Sequence, residues 1–104
     1  MFARRVYIHL KPNSVTEFTQ RLEKDILPLL RKQKGFQDEI TFVAQGGKEA
    51  FAISLWDKPE NADTYNRGTY PEVTKMLATV TEGAPQVETF DVANSTFHKI
   101  AVAA

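Results

Sequence analysis

The segment Glu49-Ala50-Phe51-Ala52-Ile53-Ser54-Leu55-Trp56 has the β-branched, aromatic and aliphatic content of a strand. Alternation along an extended chain sends Phe51, Ile53 and Leu55 to one side and Ala52 and Trp56 to the other. Both sides are apolar, which marks a central strand covered on its two faces. Gly46-Gly47, just before it, suits a hairpin turn. The hairpin's other arm is then residues 36–45, with Phe36, Ile40 and Phe42 placed on one face.

Working outward, residues 3–10 alternate as a strand, with Val6, Ile8 and Leu10 set against Arg5, Tyr7 and His9. Pro12-Asn13 breaks it, and Ser14-x-x-Glu17 has the form of a capping box for a helix running to about Lys34. Val15, Phe18, Leu22, Ile26, Leu29 and Leu30 form its apolar stripe. Pro28 predicts a kink inside it, and Gly35 suits a left-handed residue after its end. A second helical region follows residue 56 in two pieces. Asp57-x-x-Glu60 is placed to cap the first and Thr69-x-x-Glu72 the second, with the break near Gly68. Val73, Met76, Leu77 and Val80 form the buried stripe of the second piece, and Gly83 and Pro85 are expected to stop it. A last strand is expected over residues 86–97, with Phe90 and Val92 on one face.

The resulting order is β-α-β-β-α-β, the ferredoxin-like pattern of an α+β fold with a four-stranded antiparallel sheet. Residues 1–104 leave room for one domain, with a core over about 4–97 and a tail over 98–104. Two helices cover only one face of such a sheet. Covering the other against a second sheet is worth about 25 cal/mol per Å² of apolar area, and the simplest second sheet belongs to another copy of the chain. A homodimer is therefore the expected partner arrangement.

Composition limits the function classes. The 13 basic and 13 acidic side chains cancel, which argues against nucleic acid as a partner. The absence of cysteine removes disulfides, thiolate metal sites and a cysteine nucleophile, and fits a reducing cytoplasm. No apolar run approaches the length of a membrane span, and Met1–Arg5 lacks the apolar stretch of a signal peptide after it. Two histidines without HxH or HExxH spacing make a poor metal site, even with Glu39 or Asp91 added. Asp38 and Glu39 are neighbours in a strand, so they point to opposite faces and do not form a catalytic pair.

Three stretches, Leu27-Pro28-Leu29-Leu30-Arg31-Lys32-Gln33-Lys34-Gly35-Phe36, Ser54-Leu55-Trp56-Asp57 and Tyr65-Asn66-Arg67-Gly68-Thr69-Tyr70-Pro71-Glu72-Val73, resemble the antibiotic biosynthesis monooxygenase-like family. The resemblance spans about residues 4–97. It implies a dimeric α+β barrel with a pocket between each sheet and its own helices. For oxygenase members it implies no metal or organic cofactor and an electron-rich aromatic substrate that reacts with O₂ itself. A haem-degrading branch of the family uses an asparagine in the first strand, a tryptophan ending the third and a histidine on the second helix. Trp56 matches the tryptophan, but Tyr65 stands at the histidine position and the first strand offers Tyr7 and His9. Haem degradation is therefore the less favoured reading.

Candidate site residues follow from residue chemistry and the resemblance together. His9 is the candidate general base, since imidazole titrates near neutral pH. Trp56 is either a core anchor or a wall stacking on a flat ligand. Tyr65 and Tyr70 flank the helix break with hydroxyls that suit a polar substrate group, and Asn66 and Arg67 lie in the same break. The bland alternatives are helix packing for the tyrosines, a solvated or ion-paired Arg67, and a surface position for His98. The expected function is a cofactor-independent monooxygenase acting on a small aromatic or quinol-like metabolite. The competing expectation is a non-catalytic domain that binds or senses a small hydrophobic or aromatic ligand.

Overall fold

The computed structural model describes residues 1–97. Its elements are β1 (Phe2–Leu10), α1 (Val15–Arg21), a π-helical turn (Leu22–Ile26), α2 (Leu27–Arg31), β2 (Phe36–Val43), β3 (Glu49–Trp56), α3 (Pro59–Gly68), α4 (Tyr70–Leu77) and β4 (Thr81–Asp91). The strands form one antiparallel sheet in the order β2-β3-β1-β4. This is the ferredoxin-like arrangement, with β3 and β1 central. The expected tail, including His98, lies outside the described residues. No helix among the described residues is long and apolar enough to cross a membrane.

Strand alternation divides the sheet as expected in β1 and β3. Arg4, Val6, Ile8 and Leu10 pair with Ser54, Ala52, Ala50 and the start of the hairpin on the helix side. There Val6, Ile8, Leu10 and Ala50 pack with Phe18, Ile26, Leu30, Trp56, Tyr65, Val73, Leu77 and Val80 in one buried cluster. The opposite, open face carries Phe51 and Ile53 of β3 with Ile40, Phe42 and Phe90, and these last three are 42–47% exposed. Phe42 stacks on Phe51 at 4.9 Å, and Arg5 lies over Phe51 while pairing with Glu88 at 3.3 Å.

Several local expectations are corrected. In β2 the register shifts between Phe36 and Asp38, so Gln37 is an extra residue. Phe36 therefore turns to the helix side and packs edge-on against Trp56. Ile40 and Phe42 face the open side, and Glu39 joins the helix side opposite Ser54. The last strand starts at Thr81 and ends at Asp91, earlier than expected. Gly83 and Pro85 do not stop α4, which ends at Leu77; they lie within β4, between the Glu82–His9 and Gln86–Tyr7 pairs. That bulge uses the positive φ of Gly83, and an edge strand tolerates the missing Pro85 amide.

Neither helical capping serine nor aspartate acts as expected. Ser14 makes no side-chain cap, and its hydroxyl turns back toward the Pro12 carbonyl. Lys58, not Asp57, occupies the N-cap of α3, and the Asp57 carboxylate instead accepts from the Asn61 amide at 2.8 Å. Thr69 stands at the N-cap of α4 without a side-chain bond. The first helix does depart from regular geometry near Pro28, but as a π-helical turn before it. Leu27 N–H donates to the Leu22 carbonyl five residues back, a lengthened ladder next to the residue that cannot donate.

Candidate functional site

Between the sheet and its helices lies a cavity of about 40 Å³. Its walls are mainly apolar: Val6, Ile8, Phe18, Leu22, Ile26, Leu30, Val73 and Leu77. Its polar groups are Arg4, Glu39, Ser54, Tyr65 and Tyr70. The π-helical turn contributes Leu22 and Ile26 to the wall, a common setting for such turns.

Arg4 is the unusual member. Strand alternation places it on the apolar face with Val6 and Ile8, and it is 3% exposed. Its guanidinium lies 4.0 Å from the Tyr70 ring centroid and 5.3 Å from that of Tyr65. One terminal nitrogen donates to the Asn66 side-chain oxygen at 2.7 Å. Among the described residues no carboxylate lies within ion-pair distance of it. Burial lowers its pKa, and the nearby phenols of Tyr70 and Tyr65 pull in the opposite direction. It still carries its charge at neutral pH.

The phenols respond to the same enclosure. Burial pushes Tyr65 up to about 12, against the pull of Arg4. Tyr70 is also raised by burial, against the pull of the Arg4 guanidinium beside it, and its buried hydroxyl meets no partner in ordinary hydrogen-bond geometry among the described residues. Both phenols therefore remain protonated donors at neutral pH. Burial raises the Glu39 carboxyl above its ordinary value, while the Thr41 hydroxyl donating to it works the other way.

Trp56 is fully buried and does not line the cavity. It stacks behind Tyr65 at 5.3 Å, and its Nε1 donates to Ser54 Oγ at 2.9 Å. It thus sets the position of one wall from behind. Asn66 touches the site through Arg4. Arg67 points away, pairs with Asp63 at 3.1 Å and is 72% exposed. His9 belongs to the odd-numbered positions of β1, so it lies exposed on the open face with its ring edge-on to Tyr7. That placement separates it from the cavity and leaves it no access to a substrate held there.

A second, outer groove of about 460 Å³ runs between α3 and the β4 edge, lined by Phe2, Arg4, Pro59, Ala62, Asp63, Asn66, Val87 and Thr89. Arg4 lines both spaces.

No family model matches the sequence, and no curated relative matches it. Solved structures do match. The chain superposes on a monooxygenase from the gene ActVA-Orf6 of Streptomyces coelicolor, solved with nanaomycin D, at a TM-score of 0.77, with 12% identity over 92% of this chain and 90% of that one. It also superposes on SnoaB, a cofactor-independent oxygenase from Streptomyces nogalater, at a TM-score of 0.73, with 12% identity over 91% and 95% of the two chains. The fold is that of the antibiotic biosynthesis monooxygenases. A third match is MhuD, solved with two manganese protoporphyrin IX molecules per active site, at a TM-score of 0.72 and 15% identity over 93% and 99%. Among the described residues no histidine lines the cavity.

Two residues that line the cavity, Arg4 and Glu39, escape a reading of the sequence. Arg4 had a visible signal, a charge in register with Val6, Ile8 and Leu10. Glu39 is turned inward by its register opposite Ser54, on the hairpin side of the bulge at Gln37, and a lone carboxylate in that strand does not announce it.

Proposed function

We propose that the chain is a cofactor-independent monooxygenase that takes a small aromatic or quinol-like metabolite between the sheet and its helices. The observation that supports this most is the apolar cavity whose polar groups, among the described residues, are a buried cation, two protonated phenols, a serine and a carboxyl of raised pKa. The cavity as it stands holds water-sized occupants, so a flat ligand enters by parting Arg4 from Asn66, which joins the cavity to the outer groove. Glu39, rather than His9, is the base in this reading. It removes a proton from the substrate, and the resulting electron-rich anion reduces O₂. One oxygen atom bonds to the substrate carbon, the other leaves as water, and a methylene becomes a carbonyl.

Oxygen uptake with anthrones and naphthalenediols tests this. Turnover is expected to fall as pH drops through the raised pKa of Glu39, because the protonated carboxyl is not a base. Glu39→Gln should remove that limb and lower the rate by about 100-fold or more. No uptake across the panel counts against catalysis. Ligand-dependent thermal stabilisation without uptake would instead favour a binding or sensing domain.

The working unit proposed is a cytoplasmic homodimer, two open faces closing on each other around Phe51, Ile53 and Phe90. The exposed apolar side chains of that face support it. Sedimentation at micromolar concentration should give twice the chain mass, and Ile53→Asp should shift it to the single-chain mass. A folded single chain for the unmodified protein would contradict the pairing.

A further inference from the structure

We propose that Arg4 is an anion receptor whose counter-charge is brought by the ligand, an aromatic acid whose carboxylate or ionised hydroxyl displaces the Asn66 oxygen from the guanidinium. This rests on the reading of the helix-side cavity as the ligand site and narrows it to acidic ligands.

A buried guanidinium normally has a carboxylate partner, because an unpaired charge away from water is costly. Arg4 instead has a neutral amide oxygen and two aromatic faces. Asn66 fills one of its five donor positions, and Asn66 is itself exposed on α3. The Tyr70 hydroxyl, buried beside the guanidinium with no acceptor for its proton among the described residues, is a further donor in the same space. A cation and a spare phenol facing a small space are complementary to an acidic oxygen. The apolar lining of the groove by Phe2, Pro59, Ala62 and Val87 suits the hydrocarbon body that such an oxygen would carry.

Arg4 also explains why a neutral partner occupies the position. A built-in carboxylate at residue 66 would hold the guanidinium permanently and exclude a ligand anion. An amide holds the same geometry weakly enough to be replaced.

The test is calorimetric titration of the intact chain at neutral pH with two matched pairs. These are 1-naphthoate against 1-naphthamide, and 2-hydroxy-1,4-naphthoquinone against its methyl ether. At least one anion is expected to bind about 10- to 100-fold tighter than its neutral partner, the range of a charged hydrogen bond. Preference within the first pair assigns a carboxylate ligand, and preference within the second an ionised hydroxyl. Arg4→Gln should bring the preference down to within about threefold while keeping affinity for the neutral compound. Asn66→Asp, a change at an exposed position that leaves the fold intact, should do the same by supplying an internal counter-anion. Equal affinity within both pairs, or a preference that survives Asn66→Asp, overturns the receptor and leaves the ligand-site reading standing. Failure of all four compounds to bind overturns both.

Discussion

Trp56→Ala is expected to lower stability by about 3–5 kcal/mol, the usual cost of emptying an aromatic site in a packed core. The ring is fully buried, sits edge-on to Phe36, and backs Tyr65 at 5.3 Å. Its removal leaves a void between β3 and α3 and strips Ser54 Oγ of its donor. For a chain of this size each kcal/mol moves the melting temperature by roughly 4–8 °C. Thermal unfolding followed by circular dichroism should therefore show a fall of more than about 12 °C. Trp56→Phe should fall by much less, because most of the apolar volume stays. A loss below about 1 kcal/mol for the alanine variant would mean that the site relaxes and that Trp56 does not hold the tyrosine wall.

Gly35→Ala is expected to destabilise by about 2–4 kcal/mol, through two independent causes. Gly35 has φ +81°, in the left-handed region that an alanine side chain disfavours. A Cβ there would also run into Asp57 Oδ1 and the Asn61 side chain. The two side-chain tips can swing aside only by losing their mutual bond, and Asn61 Cβ, 2.8 Å from the added carbon, is fixed by its helix. The tips hydrogen-bond each other at 2.8 Å, and the Asp57 amide donates to the Gly35 carbonyl at 2.9 Å. This knot joins the end of the first helical region to the turn that launches α3, and so sets where Tyr65 and Asn66 stand. Gly68→Ala is the control: nothing lies within 4 Å of its added Cβ, and its φ is not positive. Chemical denaturation should show a lowered midpoint for the first variant and an unchanged or higher one for the second. Equal midpoints would remove the steric account of Gly35.

The fold was readable because its main signals are periodic. Alternation in residues 49–56 and 3–10 identified the two central strands, and the stripe through Phe18, Leu22, Ile26 and Leu30 identified the first helical region. The edges were less legible. At β2 a single extra residue reverses the facing of everything before it, and nothing about Gln37 announces that. At β4 Gly83 and Pro85 have the appearance of helix stops, yet an edge strand accepts both within a bulge. The site divided along the same line. Tyr65 and Tyr70, which line the cavity, stand at the helix break that the sequence shows around Gly68. His9 attracted notice by its chemistry alone, although its parity with Tyr7 already assigned it to the open face. Arg4 stands near the start of the sequence, where an arginine is ordinarily solvated, but its parity with Val6 and Ile8 points inward.

The proposal that the helix-side cavity, not the open face, receives the ligand is tested most directly by mapping where a bound naphthoate perturbs the amide and side-chain N–H signals. Shifts should concentrate on the Trp56 indole, the Arg4 guanidinium and the backbone of Tyr65, Asn66 and Tyr70. Shifts confined to Phe51, Ile53 and Phe90, with the Arg4 and Trp56 signals unmoved, would contradict the account.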